Sequence, residues 1–309
     1  MTRISTVGQN DFLLTDIFNI QKRIADGTRQ ISSESKSTTY HGLALDVQAL
    51  AAAKSIKSKS EQFIIAHRDL SRITDVQDLV LEGLSDIARK LKVEMITASQ
   101  PGGGVGFRTV IDNLYTDAVN LLNIKENGRF LFGGTRTDTA PVQSLLPANL
   151  EALGAGNHGQ AFINNSIKPT ALIDDGLEIT HGIIASEVAT DLFNIFQDLM
   201  IAATASAGGF EKPLTDSERE FVISKFPEAD TAFDTVNLIQ AQHGVAARLI
   251  EETAARHENE IMLVNKFIAD IENINVAEAV SKLNNDQTAL EASFKVFSQL
   301  NSLSLLRFL

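Results

Sequence analysis

The chain has 309 residues, of which 44% are hydrophobic and 21% charged, with a net charge of −12 and no cysteine. This is the composition of a folded protein of roughly two domains. It offers no basic stripe of the kind that displaces counterions from nucleic acid, and it rules out disulfides and thiolate metal sites.

The opening, MTRISTVGQNDFLLTDIF, is broken by polar residues every few positions, so no cleaved secretory signal is expected. No segment approaches the roughly 18 uninterrupted apolar residues that would predict a membrane span. Leu13, Ile17, Ile20, Ile24, Gly27 and Ile31 then recur by four and three. That rhythm predicts a helix with a narrow, coiled-coil-like seam. A turn-rich loop is expected over 32–42 and a long helix over 44–98, with Ile73, Gln77, Val80, Leu84, Ile87 and Leu91 in the same rhythm. Pro101 and the glycines of PGGGVGF end it. A third helix over 107–126 has Ile111, Leu114, Ala118 and Leu121 on one face.

From 128 to 186 the helical period disappears, and short apolar runs (RFLFGG, QAFI, TALI, LEITHGII) stand between turn residues. These are strand signals, and they predict a small β-rich insert that needs the helices beside it for support. Helix resumes over 187–205 and breaks at Gly208-Gly209; Thr215 and Glu218 then form a capping-box pattern, and Pro227 ends or kinks the helix that follows. A second long helix is expected over 228–273, roughly 70 Å at 1.5 Å per residue, too long to be buried end to end unless it runs beside another. The last segment, 276–306, is again a seam: Val276, Val280, Leu283, Leu290, Phe294 and Phe297, continued with a slip by Leu300 and Leu303.

The expected fold is mainly α with a small β-rich insert, its long antiparallel helices forming a rod that ends in coiled-coil-like terminal helices. Three divisions follow: terminal assembly helices at 1–42 and 274–309, a helical rod at 43–127 and 187–273, and a β-rich outer domain at 128–186. Narrow seams at both ends suggest assembly between chains, with an ordinary helical bundle as the other reading. The candidate interface residues are Leu13, Ile17, Ile20, Ile24, Leu283, Leu290, Phe294, Phe297, Leu300 and Leu303. In a lone chain these side chains are expected to be largely unburied.

Signals for chemistry are weak. His243 and His257 share a helix face but lie about 21 Å apart, too far for one ion. His257-Glu258 lacks the second histidine of a zinc-protease motif, because residue 261 is Ile. His41, His67, His158 and His181 show no ligand spacing, so the histidines read as solvated or seam residues. PGGGVGF lacks the preceding strand and the Lys-Ser/Thr of a phosphate loop, and Asp174-Asp175-Gly176 reads as a turn. Asn164-Asn165-Ser166 matches a glycosylation sequon, a common accident. No catalytic, cofactor or metal residue is assigned.

Three segments resemble one family. TRISTVGQNDFLLTDIFNIQKRIADGTRQISSESKS at the start, NLLNIKENGRFLFGGTRTDTAPV at 120–142, and INVAEAVSKLNNDQTALEASFKVFSQLNSLSLLRFL at the end are similar to bacterial flagellins. The middle segment is most typical of the branch that joins hook to filament. Two departures stand out: Glu34 where the family loop usually has Gly, and LSDIARKLKVEMITA at 84–98 in place of the run found in many filament flagellins. The resemblance implies a structural, non-enzymatic flagellar subunit, secreted through a type III apparatus, with filament flagellin as the alternative. A carbohydrate-binding module or enzyme on the β insert is the reading from another class. Implied partners are copies of itself in a ring or tube, other axial flagellar proteins (a hook-associated protein and flagellin) and an export chaperone.

Overall fold

The computed structural model describes residues 6–37 and 46–305, with side chains described for 11–37 and 46–299. It is mainly helical, with two small two-stranded antiparallel sheets. In chain order the elements are α1 (Thr6–Ser33), α2 (Val47–Ala98), α3 (Phe107–Leu122), β1 (Lys125–Glu126), β2 (Arg129–Phe130), α4 (Pro147–Ala152), β3 (Thr170–Asp174), β4 (Leu177–Thr180), α5 (Ala185–Ala205), α6 (Asp216–Ser224), α7 (Phe226–Glu272) and α8 (Val276–Leu305). Of the loop expected over 32–42, residues 38–42 lie outside the described residues.

The chain divides into two compact units, Met1–Glu61 with Asn259–Leu309, and Gln62–Glu258. Helices α2 and α7 each contribute to both. Within each unit they run antiparallel. Lys54 pairs with Glu272, and Ser60 donates to Glu260, in the first; Ser85 donates to Asn237 in the second.

The unit Gln62–Glu258 holds the main core. Leu81, Leu84, Leu91 and Met95 of α2 meet Ile111, Tyr115 and Leu122 of α3 and Phe193, Phe196 and Leu199 of α5, all fully buried. Helix α5 is apolar around most of its circumference, and eleven of its residues are buried, as expected of a central helix. The Tyr115 ring meets Phe193 and Phe196 edge-on, at centroid distances of 5.2 and 5.7 Å. Its hydroxyl donates to the Ser144 carbonyl, and burial pushes its pKa up. Arg108 spans this unit, donating to Asp112, Glu151 and the Met200 carbonyl. The capping box at Thr215 and Glu218 is present, with Thr215 Oγ1 accepting from the Glu218 amide and Glu218 accepting from the Thr215 amide. Pro227 sits in the first turn of α7, where its missing N–H has no helical partner to lose.

The segment NGRFLFGGT is legible as turn chemistry. Asn127 and Gly128 both have positive φ, 51° and 78°, the two-residue loop that matches the twist of a β-hairpin. Phe132 is fully buried, and its carbonyl accepts from the Ala185 amide. A Cβ on Gly133 would come within 2.1 Å of the Arg136 carbonyl oxygen, and one on Gly134 within 2.4 Å of Asn165 Oδ1. Both glycines are therefore required by close backbone approach.

The β insert is less regular than the alternating runs suggest. TALI and LEIT form the β3–β4 hairpin, turned by Asp175-Gly176 as expected. QAFI instead spans the end of a single 3-10 turn at His158–Ala161 and one isolated bridge between Val142 and Phe162. A short apolar run is compatible with either state, and here the buried Ala161 only fills space against the helices. The sequon residue Asn164 is engaged: its side chain donates to Ser186 Oγ and accepts from the Ser186 amide, at the start of α5.

Candidate assembly surface

In the unit Met1–Glu61 with Asn259–Leu309, α1 and α8 lie side by side and antiparallel. Arg23 donates through Nε and Nη2 to Asp286 at 3.0 and 2.8 Å, and Leu283 Cδ1 lies 3.8 Å from where a Cβ on Gly27 would stand. The hydrogen bond from Arg23 to Asp286 raises the guanidinium's already high pKa. Beyond the helix ends, Lys36 N donates to the Glu272 carbonyl and Ile274 N to that of Glu34. Glu34, which stands where the resembling flagellins usually have Gly, adopts φ 53°, the left-handed conformation that glycine enters at little cost.

The N-terminal seam faces α8 within the chain. Ile17 and Ile20 are buried, and Leu13 and Ile24 half-buried. This corrects the expectation that such residues are largely unburied in a lone chain. Across from them, α8 turns Leu283, Asp286, Leu290, Ser293 and Phe297 inward, all half-buried. That face is rotated relative to the apolar spacing, which leaves Phe294 at the edge and 47% exposed. Leu283, Leu290 and Phe297 stand on the half-buried face of α8, whereas Val276, Val280 and Phe294 of the same apolar spacing are exposed. Leu300 and Leu303 fall in α8, but their side chains lie outside the described residues.

A second set of residues has no such cover. Phe12 is 68% exposed and Phe18 66%, with Leu14 and Val296 also exposed on α1 and α8. Phe12 and Phe18 are off the seam, so a search for four-three spacing passes over them. Their signal is a bulky aromatic on the polar side of an amphipathic helix. Met262, Leu263 and Phe267 of α7 are exposed in the same unit. These side chains are the bulky apolar groups that the unit Met1–Glu61 with Asn259–Leu309 leaves exposed on α1, α7 and α8.

The histidines are mostly interior. His67, His243 and His257 are buried, and His67 stacks on His257; His41 lies outside the described residues. Sequence spacing cannot reveal that contact, because the partners are 190 positions apart. Among the described residues no group of three or more His, Asp or Glu is placed to hold a metal ion, and no helix is long and apolar enough to cross a membrane.

Comparison with known proteins finds likenesses in the same direction as the three sequence segments. The bacterial flagellin C-terminal helical region matches residues 227–309, which takes in nearly all of α7 and the whole of α8. The chain is similar to flagellar hook-associated protein 3 of Escherichia coli (strain K12), with 21% identity over 264 residues and 81% of each chain covered. Its fold is similar to that of a flagellar hook-associated protein from Vibrio parahaemolyticus, with a TM-score of 0.59, 18% identity, and 73% of this chain and 97% of that one covered. Bacillus cereus FlgL aligns with a TM-score of 0.50 and 14% identity, covering 66% of this chain and 98% of that one.

Proposed function

We propose that this chain, a relative of the flagellar hook-associated proteins, is a structural subunit of the bacterial flagellum that joins hook to filament. The observation that carries the reading is the pairing of α1 with α8. Each satisfies the other's narrow seam, and the pair still presents Phe12, Phe18, Phe294 and Val296 outward. A water-exposed surface of that kind gains stability when copies of the same chain cover it.

Two sets of contacts then divide the work. The seam residues Leu13, Ile17, Ile20, Ile24, Leu283, Leu290 and Phe297, continued by Leu300 and Leu303, hold the terminal helices together. Phe294 joins the outward residues in contacts between copies arranged as a ring or tube, with a hook-associated protein and flagellin as axial neighbours. The chain is exported to the flagellum, attended by an export chaperone, and its role there is structural.

Phe12→Ser combined with Phe18→Ser tests the reading in a strain deleted for the native gene. The variant is expected to be secreted and folded but absent from the flagellum, leaving hooks without filaments in electron micrographs. Normal filaments would sink the proposal. Immunolabelling separates the two flagellar roles: a single band at the hook tip supports the junction, and label along the filament supports filament flagellin.

A further inference from the structure

The β3–β4 hairpin is seated on a small core of its own. Ile173 and Ile179 of the hairpin are buried against Leu70 of α2 and Ile250 of α7, with Ala171, Leu177 and Leu249 partly covered around them. This cluster is separate from the main core of its unit. So little apolar area makes local opening inexpensive compared with global unfolding.

What flanks the small core is polar and titratable. At one side the His67 ring of α2 stacks on His257 of α7 with centroids 5.5 Å apart, and His257 stacks on Phe63 at 4.9 Å. His257 Nε2 lies 3.3 Å from the Ile173 carbonyl oxygen and 3.7 Å from Asp174 Oδ1, both in β3. At the other side His181, just beyond β4, lines one cleft with His243 of α7. His243 Nε2 lies 2.9 Å from the Thr74 carbonyl oxygen of α2. Four of the six histidines therefore stand where the hairpin meets α2 and α7, in two pairs.

We propose that the β3–β4 hairpin is a pH-sensitive latch, docked on α2 and α7 beside His67, which stacks on His257, and His181, which shares a cleft with His243, and released when mild acid protonates His67 and His181.

The charges around each pair set the balance. Near His67, burial opposes a proton most, followed by the neighbouring His257; Arg256 opposes it as well, while the Ile173 carbonyl and Asp174 favour it, and the net effect lowers the His67 pKa. Asp174 is shared, with Arg256 Nη1 at 3.7 Å, which blunts its pull. His181 is lowered by burial first and then by His243. Lys168 lines the His181 cleft, and Asp69, Arg72 and Glu126 line the cavity on its other side. There Arg72 pairs with both carboxylates, leaving little net field. Released into water, both imidazoles regain an ordinary pKa of about 6.5. The docked values lie below it, so docking stability is full above that pH and is lost as pH falls toward the docked values.

Hydrogen exchange on the full chain tests the latch, read as protection factors so that the pH dependence of intrinsic exchange cancels. Between about pH 7.5 and about pH 5, protection at 170–180 is expected to fall about three- to tenfold, while α5 amides hold theirs. His67→Phe with His181→Phe removes both protons while keeping ring bulk, and should leave 170–180 insensitive to pH. If that variant has already lost protection at neutral pH, His67→Gln with His181→Gln is read in its place. Unchanged wild-type protection in acid overturns the proposal. So does a fall in the substituted chain as large as in the wild type.

Discussion

Helix α5 and helix α8 are both long amphipathic segments, yet they solve burial in opposite ways. Eleven residues of α5 are fully buried, whereas none of the residues of α8 with described side chains is. The central helix is covered by its own chain on most sides. The terminal helix has one narrow neighbour, α1, and otherwise meets solvent. A seam two helices wide removes too little apolar area to offset the ordering entropy of about 1–2 kcal/mol per residue by a wide margin. The difference shows where this chain covers its own apolar surface and where it leaves that surface to solvent.

The largest expected effect lies on the self-sufficient side. Phe193→Ala empties a site between Tyr115 and Phe162, where ring centroids are 5.2 and 4.7 Å away. It should cost about 3–5 kcal/mol in denaturant unfolding of the unit Gln62–Glu258. A loss below about 1 kcal/mol would mean that α5 is not the centre of the core.

Ile17→Ala with Leu290→Ala probes the other side. Ile17 is buried and Leu290 half-buried, so the pair should cost about 2–4 kcal/mol, confined to the unit that contains α1 and α8. Limited proteolysis should then trim both ends, with the main unfolding transition unmoved. If the main transition falls instead, the two regions are not independent and the contrast between them fails.

Thr215→Ala removes a surface cap on the compact side and should cost about 1 kcal/mol. Its partner gives the effect a pH signature. Hydrogen bonds from Ser206 and then the Thr215 amide hold the Glu218 carboxyl below its usual pKa. The sign follows directly: this stabilisation is present above the ordinary carboxylate range and is lost as pH falls through the depressed value. Glu218→Gln should therefore flatten the acid limb of an unfolding titration, and an unaltered limb would contradict the capping geometry.

The smallest effects concern the backbone of the terminal pair. A Cβ at Gly27 meets only Leu283 at 3.8 Å, an ordinary contact, so Gly27→Ala should stabilise α1 by about 0.5–1 kcal/mol. Glu34→Gly relieves a left-handed residue and should stabilise by a similar or smaller amount, because glycine also loosens the unfolded chain. Both are measured by the protease resistance of the ends. A loss of resistance in Gly27→Ala would show that the helices approach more closely than the 3.8 Å spacing allows.

Local physics made much of this protein legible in its residues. Four-three spacing placed the helices, Thr215 and Glu218 placed a helix start, and Asn127-Gly128 and Asp175-Gly176 both fall in hairpin turns, because these signals act within a few positions of themselves. The resemblance to flagellins carried by the terminal segments and by NGRFLFGGT was visible for the same reason: its information is written along the chain. What the tertiary structure alone decided depends on distance between chain segments. The rotation of α8 that turns Phe294 outward, the solvent-facing position of Phe12 and Phe18, and the stacking of His67 on His257 are set by which helix lies opposite. Periodicity fixes that a stripe exists, but the packing of residues hundreds of positions apart selects which of its edges meets a neighbour and which meets solvent.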